Sequence, residues 1–213
     1  MSHALTRVFK RWASVVGEYS DRVNWKGGRC ADAVYWSTER ANVGSVAAAA
    51  WLTGGVALEE YGDLKRAPRR VSKGRVDLFV KCDDASEYLF ECKTAWVGLD
   101  DAGRLRRPHA KKRIGAVMRA VRKDANRLQR EPGQLRGLIL FAIPSIRVGV
   151  THWRKRVKLL HKDDQAWLEE LLRGRLGKRA FVEASRISAN CRRTPCDGQS
   201  EYPGVILLCE LLD

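Results

Sequence analysis

Three charged residues lie in two neighbouring stretches of alternating apolar residues, where ordinary core strands would not carry them. Asp77 interrupts the first stretch, and Glu91 and Lys93 stand two residues apart in the second. Because side chains two apart in a strand share a face, a turn over 82–86 brings all three to one sheet surface. Two carboxylates that close repel each other unless a cation joins them, and Mg²⁺ prefers carboxylate oxygens and water. A lysine beside that ion can position or deprotonate a water, so these residue types predict attack of water on a phosphodiester.

Glu39 adds a fourth acid from a separate part of the chain. We expect a helix over 32–53, and on its helical wheel Glu39 lies at the centre of the apolar face, beside Tyr35 and Val43. The carboxylate then points toward the sheet, where a metal site or Lys93 supplies a partner. The alternative for Glu39 is an ion pair with a neighbouring arginine. The alternative for the strand residues is a surface hairpin with ordinary cross-strand pairs.

The elements that position these residues follow from hydrophobic periodicity and from glycine and proline signals. We expect helices over 32–53, 110–130 and 163–173, with a further amphipathic helix at the N-terminus that carries Leu5, Phe9 and Trp12. We expect strands over 56–61, 75–81, 87–93, 138–143 (ended by Pro144), 180–186 and 205–211, and a basic loop over 63–73. The order helix, three strands, helix, strand predicts an α/β domain.

The pattern resembles the PD-(D/E)xK nuclease superfamily, on Glu39, the pair Gly54-Gly55, the stretch V76-D77-L78 and the stretch L89-F90-E91-C92-K93-T94, followed by a basic helix and the apolar run LILFAI. The resemblance implies a restriction-endonuclease-like core: a central mixed β-sheet flanked by helices, here with helical and strand additions at both ends. It also implies that Asp77, Glu91 and the Cys92 carbonyl bind Mg²⁺, with Mn²⁺ as a substitute. By the same resemblance Lys93 acts on the attacking water, and Glu39 is the helix acid of several branches. Val76 replaces the usual proline before the first acid, and Gly133 stands where one exonuclease branch has a tyrosine.

The length of 213 residues suits a single domain. We expect the nuclease-like core over 30–145, an N-terminal helical extension over 1–29 and a C-terminal extension over 146–213. The C-terminal extension has three open roles: completing the sheet, binding DNA or joining two protomers into a homodimer.

Forty Lys and Arg against 25 Asp and Glu give a net charge of +15, which predicts a polyanionic partner. The stretch 104–136 carries twelve basic residues and two acids, and 65–75 carries six basic residues and no acid. We expect phosphate contacts from both stretches. The predicted nucleic-acid-binding residues are Lys65, Arg66, Arg69, Arg70, Lys73, Arg75, Lys112, Arg119, Arg122 and Lys123. The alternative is that these side chains only solvate helix faces.

The sequence shows no signal peptide and no apolar run that fits a membrane span, so we expect a cytoplasmic protein with reduced cysteines. The function that the residues favour is metal-dependent hydrolysis of phosphodiester bonds in DNA, by an endonuclease. Two alternatives stay open. One is a non-catalytic nucleic-acid-binding module that keeps the nuclease fold, and the other is a protein that binds or cleaves RNA.

Overall fold

The computed structural model describes residues 2–23, 33–67, 70–100, 102–147, 160–175, 180–186 and 200–212. Their helices are α1 (His3–Val23), α2 (Val34–Ser37), α3 (Glu39–Leu52), α4 (Arg107–Ala125) and α5 (Lys162–Arg173). Their strands are β1 (Val56–Ala67), β2 (Arg70–Lys81), β3 (Glu87–Gly98), β4 (Gln134–Arg147), β5 (Ala180–Arg186), β6 (Ser200–Glu201) and β7 (Gly204–Leu211). The predicted α/β class is confirmed.

Six of the described strands form one mixed sheet in the order β1-β2-β3-β4-β7-β5, and β6 pairs with the end of β4. Strands β3 and β4 are parallel, and helix α4 connects them; the other neighbours are antiparallel. The C-terminal strands β5 and β7 therefore complete the sheet, one of the roles left open for that extension.

Apolar side chains cover both faces of the sheet, which explains why the central strands are apolar on both sides. On one face α1 and α3 contribute Phe9, Trp12 and Val46. On the other face α4 and α5 contribute Ile114 and Leu168. The predicted amphipathic N-terminal helix is confirmed as α1, whose buried residues follow the helical period.

The helix expected over 32–53 is wrong in one respect, because the chain breaks at Thr38. Thr38 is extended (φ −153°, ψ 164°), and its hydroxyl accepts a hydrogen bond from the Ala41 N–H at 3.1 Å, so it caps a new helix. Glu39 consequently begins α3 instead of lying inside a longer helix. The end at the glycine pair is confirmed, since Gly54 has φ +83° just after Leu52.

In the stretch 63–73, expected as a loop, the described residues 63–67 and 70–73 are instead paired strand ends. Strands β1 and β2 stay paired as far as Ala67 and Arg70. The stretch has little apolar alternation, so backbone pairing, which composition does not reveal, holds it extended.

Strand β4 also continues past Pro144, where an end was expected. Pro144 pairs with Val97 of β3, whereas the pairing of β4 with β7 stops at Ala142 and that with β6 starts at Ile146. A proline is tolerated there because no described strand pairs with Pro144 on the side away from β3, so its missing N–H costs no ladder hydrogen bond on that side.

In the part of the chain that the structure describes, no helix is both long and apolar enough to cross a lipid bilayer.

Candidate active site at the fork between two strands

The predicted acids meet where two strands separate. Strands β2 and β3 pair over only four residues each, from Lys81 and Glu87 to Leu78 and Phe90. Beyond that point β2 continues along β1, while β3 continues along β4. We call the gap that opens there, at Asp77 on β2 and residues 91–94 on β3, the β2–β3 fork.

Asp77 bridges the fork with its side chain. Its Oδ2 accepts a hydrogen bond from the Cys92 backbone N–H at 2.8 Å, so the carboxylate takes the place of a ladder partner. The side chain keeps 30% of its surface exposed. Asp77 is therefore fixed in position and still reachable from solvent.

The alternation of side chains between the two faces of the sheet is broken in β2 at Asp77. Val76 packs with Leu89 and Leu128, whereas Leu78 packs in the cluster under α1 and α3, although strict alternation would place both on one face. The neighbouring strand is irregular at the same level, because Glu60 of β1 has φ +50°. Such local irregularity is the usual device by which a strand re-aims one side chain.

Glu39 reaches the fork from the first turn of α3. Its Oε1 accepts a hydrogen bond from Lys93 Nζ at 3.1 Å, and its Oε2 accepts one from the Thr94 N–H at 2.8 Å. Glu39 thus faces the sheet as expected, and of the two partners expected for it, a metal site or Lys93, the structure shows Lys93. Both its oxygens are occupied, and 39% of the side chain is exposed.

Lys93 lies between two carboxylates. Its Nζ is 3.1 Å from Glu39 Oε1 and 3.9 Å from Asp77 Oδ2. Burial lowers the pKa of Lys93, but the charges of Glu39 and Asp77 outweigh burial, and the net pKa is raised. Lys93 is therefore a cation at neutral pH in the arrangement described here.

Glu91 is buried beside this group, with 3% of its surface exposed. Its negative charge raises the pKa of Lys93 less than those of Glu39 and Asp77 do. The adjacent Cys92 thiol is also buried, and burial together with the charge of Asp77 holds its pKa well above the ordinary value. The Cys92 thiol stays protonated, so the residue acts at the fork through its backbone.

Within the described ranges, no group of three or more His, Cys, Asp and Glu side chains is arranged to hold a metal ion. The fork brings oxygen ligands from different strands near one another, but its acids converge on the ammonium of Lys93.

The basic residues predicted on the hairpin are divided by what is described. Lys65, Arg66, Arg70 and Lys73 lie in β1 and β2, but their side chains fall outside the described part, as does Arg69 entirely. Arg75 is 71% exposed and its NH1 donates to Glu60 Oε2 at 2.9 Å. Arg40, which follows Glu39 in the chain, approaches the other oxygen of Glu60 at 3.5 Å.

The predicted basic residues of α4 lie on two different sides of that helix. Lys112, Arg119 and Lys123 are exposed, lie within about 40° of one another around the axis and face away from the sheet. Arg122 is half-buried instead: its guanidinium donates to Glu210 Oε2 of β7 at 2.5 Å and to the Arg175 carbonyl at 3.3 Å. The charge of Arg122 is thus used within the fold.

Three contributors to the fork were not singled out from the sequence. The Thr94 N–H carries no side-chain signal. Thr38 does carry one, since a threonine directly before a glutamate is typical of a helix start. Glu60 stands out only through its backbone angle, which composition cannot show.

No protein-family model matches the chain, and searches of curated proteins and of solved structures find no match.

Proposed function

We propose that this protein is a metal-dependent nuclease of the PD-(D/E)xK type that hydrolyses phosphodiester bonds in DNA. The observation that carries the proposal is that the carboxylates of Glu39 and Asp77 both lie within 4 Å of the Lys93 ammonium group. These residues lie on one helix and two strands, and Glu39 and Lys93 are 54 residues apart in the sequence. Each was selected from the sequence on chemical grounds, so their convergence is an independent argument for a built site.

The order of elements supports a restriction-endonuclease-like core. Helix α3, strands β1 to β3, helix α4 and strand β4 follow one another in the order that the resemblance implies. The two strands that carry Asp77 and Lys93 are sheet neighbours that separate at these residues. A fork of this kind exposes strand side chains that would otherwise be buried, which suits a site on a sheet.

The donor set fits Mg²⁺. That ion commonly binds one or two carboxylates and keeps water or phosphate oxygens in its other positions, so a cage of three protein ligands is not required. Asp77 and Glu91 are the proposed ligands. The Cys92 carbonyl would be a third, because the N–H and C=O of one strand residue point to the same side, and this N–H already meets Asp77. When bound, the ion would polarise a phosphate oxygen and lower the pKa of a bound water.

The residues of this chain have separable roles in the proposed reaction. Lys93, protonated in the free protein, would hold the attacking water by hydrogen bonds and offset the charge that develops on the phosphate oxygens. Glu39 fixes the ammonium in place by its contact of 3.1 Å and is itself held by the Thr94 N–H. Asp77 is held at the fork by the Cys92 N–H, so its carboxylate would be positioned before a metal ion binds.

The charge of the molecule favours a nucleic acid as the phosphodiester. A net charge of +15 would attract a polyanion, and the exposed stripe Lys112, Arg119 and Lys123 forms no ion pair with a described residue. Duplex DNA and structured RNA both present that charge. We favour DNA because the resemblance of the strand motif is to enzymes that cleave it.

The test is cleavage of supercoiled plasmid and of a structured RNA with Mg²⁺ or with EDTA, by wild-type protein and by Lys93→Ala. Lys81→Ala is the matched control, because Lys81 lies in the same hairpin and also pairs with a glutamate, Glu87, at 3.0 Å. We expect Mg²⁺-dependent plasmid cleavage that Lys93→Ala abolishes and Lys81→Ala keeps.

The same assay separates the alternatives. Cleavage of the RNA alone would move the proposal to RNA. Binding of either polymer without cleavage in Mg²⁺ or Mn²⁺ would leave a non-catalytic binding module.

A further inference from the structure

One carboxylate joins two arginines beside the fork. Glu60 Oε2 accepts from Arg75 NH1 at 2.9 Å, and Glu60 Oε1 lies 3.5 Å from Arg40 NH1. Both arginines are about 70% exposed, at 70% and 71%. An exposed ion pair of this kind contributes at most about 1 kcal/mol to folding, so stability gives little reason for the arrangement.

The backbone of Glu60 is strained. Its φ of +50° lies in the left-handed region, which costs a residue with a side chain roughly 1–2 kcal/mol. The register pairs Glu59 with Leu78 and Tyr61 with Val76, so Glu60 stands opposite Asp77. Strain held against a weak surface ion pair is typical of a functional position.

The chain places both arginines next to the proposed site. Arg40 directly follows Glu39 in the first turn of α3, and Arg75 precedes Asp77 by two residues in β2. Glu60 thus contacts both the helix that carries Glu39 and the strand that carries Asp77.

The Glu60 carboxylate between the two arginines resembles a phosphodiester in its charge and in the number of its oxygens. Glu60 presents one oxygen to each arginine with a single negative charge shared between them. A phosphodiester likewise presents two non-bridging oxygens that share one charge, and guanidinium groups bind either anion.

We propose that Arg40 and Arg75 form a phosphate-binding pair for the nucleic-acid backbone, and that Glu60 occupies it in the free protein. When a nucleic acid binds, one of its backbone phosphates takes the place of the Glu60 carboxylate. The nucleotides next to that phosphate then lie at the fork. This inference rests on the proposed function in one respect only, that the ligand is a nucleic acid.

The first test measures binding of a fluorescein-labelled DNA duplex by anisotropy in EDTA, where no cleavage occurs, with Glu60→Gln beside Glu59→Gln. The two variants make the same charge change on adjacent exposed residues, but Glu59 forms no ion pair with a described residue. We expect Glu60→Gln to bind about threefold more tightly than wild type, because a competing anion is removed. Glu59→Gln should change affinity by less than half of that. Equal gains in both variants would show a general charge effect and overturn the inference.

The second test removes each arginine. Arg40→Gln and Arg75→Gln should each weaken binding about five- to tenfold near 0.1 M salt and lower the slope of log K against log salt by about 1. Arg11→Gln is the control, because Arg11 also pairs with a glutamate, Glu18, but on α1. In the double variant Arg75→Gln/Glu60→Gln, the gain from Glu60→Gln should largely disappear.

The outcomes distinguish this inference from the proposed function. Unchanged affinity and slope in both arginine variants would overturn the phosphate pair, even if the wild type cleaves DNA. The expected pattern in a protein that never cleaves would keep the phosphate pair and reject the nuclease. A wild type that binds no DNA in low salt would overturn the pair as well.

Discussion

Two clusters of acidic and basic side chains in this molecule contain similar residue types but differ in exposure and in the balance of charge. At the fork, Glu39 and Asp77 share the single cation of Lys93, and their side chains are 39% and 30% exposed. Between α4 and α5, Asp164 is 1% exposed and forms an ion pair with Arg104, whose Nε lies 2.8 Å from Oδ2. Asp164 also accepts hydrogen bonds from Arg107 NH2 at 3.0 Å and from the Leu105 N–H at 3.1 Å. The first cluster has more acid than base, and the second has more base than acid.

The difference separates a charged cluster that holds two helices together from the cluster that we propose as the active site. Each oxygen of Asp164 is enclosed by donors, and Arg107 also lies 5.3 Å from the centre of the Trp167 ring. Such a cluster pins α5 to the start of α4 and offers nothing to a ligand. The fork keeps excess negative charge at the surface of a protein of net charge +15. That is the local condition for binding a cation.

The largest expected effect on stability concerns the closed cluster around Asp164. Asp164→Asn should lower the free energy of unfolding by about 3 kcal/mol, because charged hydrogen bonds to two arginines become neutral ones. Denaturation in urea measures this loss. Cleavage per folded molecule should stay at the wild-type rate, since Asp164 lies outside the fork.

This prediction carries a pH dependence. Burial raises the pKa of Asp164, but the Leu105 N–H and the two arginines outweigh burial, so its folded pKa is lowered. Its contribution to stability is therefore complete above its unfolded pKa near 4 and is lost as the pH falls through the lower folded value. The wild type and Asp164→Asn should differ fully at pH 7 and converge below about pH 4. A constant difference down to pH 2 would contradict this assignment.

The next effect concerns the open cluster. Glu39→Gln should slow Mg²⁺-dependent cleavage about 30-fold, because Lys93 loses the charge that fixes its ammonium. Its stability should change by less than about 1 kcal/mol, since the glutamine oxygen still accepts from the Thr94 N–H. Glu18→Gln is the control, because Glu18 is 43% exposed and also pairs with one cation. Equal rates in both variants would remove Glu39 from the site.

A third contrast lies within α4. Arg122→Gln should cost about 1.5 kcal/mol of stability, because the buried Glu210 loses its guanidinium, and it should leave DNA affinity within about twofold. Arg119→Gln should do the reverse, weakening DNA binding severalfold without a stability change. Denaturation and anisotropy on both variants check this pair. Equal losses of affinity would show that both arginines reach the ligand.

The smallest effect concerns the start of α3. Thr38→Ala removes the side-chain cap of the Ala41 N–H and should cost about 1 kcal/mol. Because Glu39 begins that helix, cleavage should fall severalfold as well, whereas Thr38→Ser should restore both values. A Thr38→Ala variant with full cleavage would show that the cap does not position Glu39.

The acids of the fork could be predicted because their chemistry contradicts their surroundings. Asp77 in an apolar stretch and Glu39 on an apolar helix face each require a partner, and that requirement can be read locally. Strand alternation over 87–93 placed Glu91 and Lys93 on one face, the turn over 82–86 brought Asp77 to that face, and Lys93 was one of the two partners expected for Glu39. Strands β5 and β7 were also predictable, because each contains a short apolar stretch typical of a strand, and the two strands pair with each other.

The fork itself could not be predicted, because it depends on where non-local pairing stops. Nothing in residues 75–81 indicates that β2 pairs with β3 only from Leu78 to Lys81. The continuation of the hairpin to Ala67 and Arg70 has the same cause, since backbone pairing overrides a basic composition. The break at Thr38 was hidden by an apolar pattern that continues through it, although the capping residue was visible.

The central claim is tested most directly by the Mg²⁺-dependent single-turnover cleavage rates of Asp77→Asn and Asp164→Asn, measured side by side on the same plasmid. Both variants replace one carboxylate of a charged cluster by its neutral isostere. We predict a fall of at least 10³-fold for Asp77→Asn with nearly unchanged stability, and a wild-type rate per folded molecule for the less stable Asp164→Asn. Equal rates in the two variants, or a wild type with no cleavage, would contradict a catalytic fork.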